Sequence, residues 1–229
     1  FIMSDYRHEL VPGPSLDIIT IADAERTRRR LYFFSKRCLD IAATIVAAPI
    51  VVPVIGVAAL LVRLEGGKAF YSQMRVGKDG QVFRMWKLRT MRPNAAEMLE
   101  AYLQECPEAR PEWELHQKLR HDPRVTRVGR FLRKYSLDEL PQLWNVFVGQ
   151  MTLVGPRPFM PEQRNQYPGS AYYEMKPGLT GLWQISERNN CTFAERAMHD
   201  TRYAKVMSFC TDLKILFKTV SVVVNGTGH

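Results

Sequence analysis

Ile41 to Val62 is a run of 22 residues without a single charge. As a straight helix it would be about 33 Å long, enough to cross the hydrocarbon core of a bilayer. Two features limit what it can do there. Pro49 and Pro53 sit in its middle. Each deletes a helical hydrogen bond, freeing the carbonyls of Ile45 and Pro49, and prolines four residues apart bend a helix in one direction. Both flanks are basic: Arg26, Arg28, Arg29, Arg30, Lys36 and Arg37 before it, Arg63, Lys68, Arg75 and Lys78 after it. Basic residues beside a membrane segment prefer the cytoplasmic side, so a spanning helix violates that preference at one end. A helix that dips in and returns satisfies it at both. The sequence therefore favours a re-entrant membrane helix with its bend at Pro49 and Pro53. The alternatives are a straight, proline-kinked span and a buried core helix.

The stretch richest in chemistry is Lys134-Tyr135-Ser136-Leu137-Asp138-Glu139-Leu140-Pro141-Gln142. It reads as a helix start. Ser136 with Glu139 three residues on has capping-box spacing, so Ser136 is one candidate N-cap. Asp138 is the other, with Pro141 then in the first turn, where its missing N–H costs nothing. Either way both acids lie beside unpaired backbone N–H groups and the positive end of a helix dipole, which favours the ionised form. An ionised Asp138 near Arg130, Arg133 and Lys134 can attack phosphorus or help to hold a divalent cation. Ordinary helix-start acids would look the same. Gly155-Pro156-Arg157-Pro158 is a second candidate. Two prolines fix the backbone around one guanidinium, and a pre-organised donor fork suits a phosphate, although a structural turn fits the pattern equally.

Elsewhere the patterning predicts a mixed, mostly helical α/β chain. Phe70–Val76 and Val82–Arg89 read as a β-hairpin joined at Gly77-Lys78-Asp79-Gly80. Asn94 with Glu97 opens a helix to Glu105, and Glu112–Arg120 reads as another. Val125–Tyr135 is a basic helix with Val128, Phe131 and Leu132 as its apolar face. Leu182–Ile185 reads as a short strand, and Thr192 as the cap of a helix to about Lys205. Asp212–Asn225 is apolar on most sides, fitting a core helix or one lying in a membrane interface. Formal charge is +9, which suits anionic partners. No reading helix or aromatic stacking platform accompanies it, so nucleic acid is disfavoured. Four scattered cysteines without C-x-x-C argue against a zinc site and a disulfide framework. No Walker loop and no G-x-G-x-x-G is present, so phosphate must be bound by another device.

Taken together, Ser136-Leu137-Asp138-Glu139-Leu140-Pro141-Gln142 and Gly155-Pro156-Arg157-Pro158 resemble motifs of the bacterial sugar transferases, specifically monotopic phosphoglycosyl transferases of exopolysaccharide synthesis. The resemblance runs from about Ser35 onward through Lys36-Arg37-Cys38-Leu39-Asp40, Arg75-Val76-Gly77, Lys87-Leu88-Arg89-Thr90-Met91, Asp122-Pro123-Arg124-Val125-Thr126, Pro177-Gly178-Leu179-Thr180-Gly181-Leu182-Trp183-Gln184-Ile185-Ser186, and Asp200 with Tyr203. It implies an N-terminal extension over 1–34, a re-entrant membrane helix over 35–65 and a catalytic domain over 66–229 on the cytoplasmic face of the bacterial inner membrane. The implied reaction transfers hexose 1-phosphate, as glucose or galactose, from a UDP-sugar to undecaprenyl phosphate with Mg2+, and releases UMP. Asp138 carries over as nucleophile and Glu139 as its metal-supporting neighbour. Lys87, Arg133 and Arg157 carry over as phosphate-binding cations. A homodimer is compatible with the resemblance. Two departures stand out: Val52-Pro53 where relatives have Ser-Pro at the bend, and Glu187-Arg188-Asn189 where they have Gly-Arg-Asn. A membrane-anchored scaffold without chemistry is the alternative from another class.

Overall fold

The computed structural model describes residues 16–116, 119, 122–186 and 193–224. Its longest element is helix α1, Leu16–Leu64, which runs as one assigned helix through both prolines. The middle of its apolar run is uncovered: Val46, Ile50, Val52, Val54, Val57 and Leu60 are all exposed. Its two ends are not. Near the start of the run, Arg37 donates to the carbonyl oxygens of Val146 and Phe147 at 2.6 and 2.7 Å. Buried Asp40 accepts from Thr152 Oγ1 at 2.7 Å and from the Leu153 N–H at 3.0 Å. At the far end, Ala58 and Val62 pack with Ala69, Leu88 and Leu132. Glu65 there accepts from the Val128 N–H at 3.2 Å. Both ends of one exposed apolar helix are thus tied to one body.

Strands β1 (Phe70–Val76) and β2 (Val82–Leu88) form the expected antiparallel hairpin, pairing Phe70 with Leu88 through Val76 with Val82. Asp79 and Gly80, both at positive φ, close it. Alternation along β2 puts Phe83, Met85 and Lys87 on one face and Trp86 and Leu88 on the other. The first face packs on Val146 and Met151, so Lys87 emerges at the end of a buried row. Helices α2 (Ala95–Glu105) and α3 (Arg110–His116) follow. The expected end of α3, to Arg120, falls partly outside the described residues.

Helix α4 is Arg127–Lys134, and Thr126 caps it by accepting from the Gly129 N–H at 2.9 Å. Val125, expected inside this helix, instead bridges to Met91. The next element corrects the sequence reading. Ser136 caps no helix. It adopts φ 54°, ψ 23°, and its N–H returns to the Arg133 carbonyl at 3.0 Å. It is therefore the left-handed residue that ends α4. Leu137–Glu139 form a single 3-10 turn. Helix α5 begins only after Pro141, at Gln142, and ends at Phe147. No capping box forms, because Leu137 must turn inward against the Val62–Leu132 cluster. That demand reverses the chain one turn before the helix can start.

Parallel strands β3 (Thr152–Val154) and β4 (Gly178–Thr180) make a second two-stranded sheet. The strand expected over Leu182–Ile185 is wrong. Those residues belong to helix α6, Leu182–Ser186, and the strand lies just upstream. The close approach of Gly155 to Gly178 sets that boundary: a Cβ on Gly178 would lie 2.1 Å from the Gly155 nitrogen. The strand pairing is therefore made by the glycine-flanked segment. Helix α7 is Phe193–Val206 and α8 is Phe209–Val224; Thr192 lies outside the described residues. Ile215 of α8 is buried with Val154, Met175 and Tyr203. Phe209, Leu213, Phe217 and Val220 are exposed on its other side at helical spacing.

Asn145 ties α5 to β2. It is fully buried, accepts from the Trp86 N–H at 3.1 Å and donates to the Arg84 carbonyl at 2.7 Å. Asn145→Leu leaves both part-buried backbone groups without their side-chain partner, each worth about 1–3 kcal/mol when left unpaired. Urea denaturation is expected to show a stability loss of about 3 kcal/mol, while a surface control such as Gln104→Leu shows little.

Candidate active site

The 3-10 turn between α4 and α5 presents Asp138 and Glu139 to the end of β2. Lys87 Nζ lies 2.7 Å from Glu139 Oε1 and 3.8 Å from Asp138 Oδ2, so one ammonium serves both acids. Arg157, held between its two prolines, brings Nη2 to 3.4 Å from the same Glu139 oxygen. Arg133, on α4, donates from Nε to Thr90 Oγ1 at 2.9 Å. Its charge is felt by Asp138. Glu139, Lys87, Arg133 and Arg157 are thus brought to one place with Asp138, although Arg133 reaches it through space rather than by a direct bond, whereas Arg130 and Lys134, also expected near it, are exposed.

Asp138 itself is only 9% exposed. Burial pushes its pKa above the usual carboxylate range, Lys87 pulls it back down, the Glu139 charge raises it and Arg133 lowers it. The expectation that a helix start would favour the ionised form is therefore overturned. The turn sits ahead of a six-residue helix, and burial is the largest cause of the shift. The cations are what keep a buried carboxylate usable as an anion.

Among the described residues, no group of three or more His, Cys, Asp or Glu is placed to hold a metal ion. Two adjacent carboxylates are nevertheless a donor set that suits Mg2+, which keeps several waters and takes its remaining ligands from substrate phosphates. Asp138 and Glu139 are the residues that would hold it.

A family model described as "Bacterial sugar transferase" matches residues 31–226. The chain belongs to that family. It is 44% identical over 197 residues to the UDP-galactose-lipid carrier transferase of Erwinia amylovora, covering 85% of this chain and 41% of that protein. It is 42% identical over 216 residues to the undecaprenyl-phosphate galactose phosphotransferase of Salmonella typhimurium, covering 93% and 45%. It is 44% identical over 192 residues to the exopolysaccharide production protein ExoY of Rhizobium meliloti, covering 82% and 85%. The chain thus spans less than half of the first two relatives and most of the third.

Two further arginines join the site of this sugar transferase: Arg75, which the resemblance includes in Arg75-Val76-Gly77 without a role, and Arg196, which the sequence reading did not single out. Arg75 reads as one more solvated strand charge, yet it is half-buried, and its pKa falls to about 10 through burial and then through the charge of Arg157. Arg196 reads only as part of a helix. Its Nη2 donates to the Arg157 carbonyl at 2.9 Å, and its guanidinium lies 4.7 Å from the Trp183 ring centre. A signal for Arg196 was present. It shares the helical face of Ala197, Asp200 and Tyr203, all buried, and an arginine on a core face needs a partner. Glu187-Arg188-Asn189 lies outside the described residues.

Proposed function

We propose that this chain transfers hexose 1-phosphate, as glucose or galactose, from a UDP-hexose to undecaprenyl phosphate at the cytoplasmic face of the bacterial inner membrane. The observation that carries the reading is the convergence of Lys87, Arg133 and Arg157 on the Asp138–Glu139 pair. The relatives' names point the same way. The ionised Asp138 attacks the sugar-linked phosphorus; the bond from that phosphorus to the bridging oxygen breaks, and UMP departs with the electron pair. The resulting phosphosugar-aspartate is attacked by an oxygen of the lipid phosphate. The aspartate carboxylate is expelled and undecaprenyl-diphospho-hexose forms. Lys87 and Arg157 hold Glu139 and neutralise the incoming diphosphate, since phosphoryl transfer is chiefly positioning and charge stabilisation. Mg2+ held by Asp138 and Glu139 would supply further neutralisation of that diphosphate.

The membrane arrangement belongs to the same reading. An exposed apolar helix anchored at both ends to one body, with two prolines between the anchors, fits a dip into one leaflet better than a span. The apolar row on α8 fits a helix lying in the interface, which sets the acids near the lipid phosphate.

Two measurements test this. Purified protein in detergent, given a panel of UDP-sugars, Mg2+ and undecaprenyl phosphate, is expected to release UMP from UDP-glucose or UDP-galactose. Release from neither would contradict the reaction. Single cysteines introduced at Arg30 and at Lys68 are expected to share the same accessibility to an impermeant label in sealed vesicles. Opposite accessibility would make α1 a span.

A further inference from the structure

Beyond the acids lies a second cluster of cations, two of which have no ion-paired carboxylate among the described residues. Arg157 and Arg196 both face the Trp183 ring, at 5.9 and 4.7 Å from its centre, and Arg196 also lies 5.1 Å from the Phe193 ring. The Arg196 bond to the Arg157 carbonyl fixes their spacing. Arg75 donates from Nη2 to Gln73 Oε1 at 2.6 Å, and its buried Nε has no hydrogen-bond partner. The three guanidiniums share one field: Arg157 lowers the pKa of both Arg75 and Arg196, after burial, which is the larger cause in each. The ion pairs among the described residues give a carboxylate to Arg157, through Glu139, and none to Arg75 or Arg196. Asp200, the acid whose charge reaches Arg196, is itself bonded by the Tyr167 hydroxyl at 2.6 Å.

Three partly desolvated guanidiniums repel one another and lose hydration, so an anion of several oxygens is the natural complement. Two cation groups can be told apart. The charges acting on Asp138 include Lys87 and Arg133, and those acting on Arg75 include Arg157 and Arg196. Arg157 touches both, through Glu139 on one side and Arg196 on the other. A diphosphate laid across Arg157 would put one phosphorus at Asp138 and the other in the arginine cluster.

Resting on the transferase reading above, we propose that Arg75, Arg157 and Arg196, backed by Trp183, form the seat of the phosphate that is not transferred, the one that leaves as a nucleoside monophosphate. As the bond to the bridging oxygen breaks, negative charge collects on that departing phosphate. Cations fixed there in advance stabilise it with no reorganisation. Arg75 and Arg196 therefore act on departure of the nucleotide and not on attack by the lipid.

The test uses the full chain in detergent and the variants Arg75→Gln and Arg196→Gln, each with its Lys counterpart. Inhibition by UMP is compared with inhibition by uridine, which lacks the phosphate. The two half-reactions are timed separately: the burst of UMP without lipid, then discharge when lipid phosphate is added. Each Gln variant is expected to weaken UMP inhibition by about tenfold or more, the size of a lost charge-assisted bond. Uridine inhibition and the discharge rate should stay as in the wild type, and the Lys variants should recover part of the loss. Wild-type UMP inhibition in both Gln variants would overturn the proposal. So would equal losses for UMP and uridine, or equal slowing of both half-reactions. Should Arg196→Gln fail to fold by circular dichroism, Arg75→Gln alone decides, since Arg75 sits on a two-stranded hairpin, opposite Phe83, rather than in a helix. Absence of UMP release by the wild type would instead refute the transferase reading itself.

Discussion

Asp138→Asn is expected to abolish transfer, lowering turnover by about 10,000-fold or more, the scale seen when a nucleophile is removed from a site whose binding groups remain. Asn is nearly the same size as Asp, and the position is buried, so the turn between α4 and α5 should persist. Removing a carboxylate whose ionisation burial opposes should also leave the fold at least as stable near neutral pH. The sign follows from the raised pKa. A carboxyl that holds its proton more tightly when folded favours the folded state below its unfolded pKa. That contribution is lost as pH rises through the folded pKa, and Asn does not titrate. The combination of lost activity and unchanged or improved melting temperature near pH 7 is the expected result. Turnover of Asp138→Asn within tenfold of the wild type would remove Asp138 from the chemistry.

Lys87→Met is the second large effect, with two parts. Lys87 is the nearest cation to both acids, bonded to Glu139 and within 3.8 Å of Asp138. Its loss should cost about 100-fold in kcat/KM near pH 7, the usual scale for deleting one pre-organised charge from a site of this kind. The pH profile should also move. Lys87 pulls the Asp138 pKa down against burial, so without it the carboxylate ionises at higher pH. The acidic limb of the kcat/KM profile is then displaced upward, and the deficit shrinks as pH rises. A uniform loss at every pH would mean that Lys87 only contacts substrate. No loss at all would dissolve the cation cluster as an explanation.

The contrast between what the chain announces and what it hides has physical causes. The apolar run and its prolines were plain, because a membrane-length stretch without charge has few uses. What secondary-structure patterning could not reveal is that Lys36, Arg37 and Asp40 anchor that helix to the body. Lys36 pairs with Asp212, and Tyr203 bonds the other oxygen of the same acid at 2.6 Å. That network joins residues more than 160 positions apart, and its members read locally as a basic flank and two distant helices. The hairpin was legible because Asp79-Gly80 can adopt the positive φ that its turn requires. The acid turn was misread for a comparable local reason. Ser at position 136 suits an N-cap in most settings, and only the inward packing of Leu137 converts it into the terminator of the preceding helix. The direction of the Asp138 pKa shift was misread with it, since a dipole argument takes no account of how deeply Asp138 is buried. Lys87 was reached through the family resemblance and Arg157 already through its two bracketing prolines, and the structure sets both on Glu139. Arg75 stood within the resemblance but read as a solvated strand charge, and Arg196 was missed because no motif reading weighs a charge on a packed face as a question in itself.

The most direct test of the account is mass analysis of the protein after incubation with UDP-glucose or UDP-galactose and Mg2+ in the absence of lipid. A hexose-phosphate adduct is expected on the peptide containing Asp138, formed with an equal amount of UMP and discharged on adding undecaprenyl phosphate. An adduct on a different residue, or transfer to lipid by a protein that never carries the sugar phosphate, would contradict it.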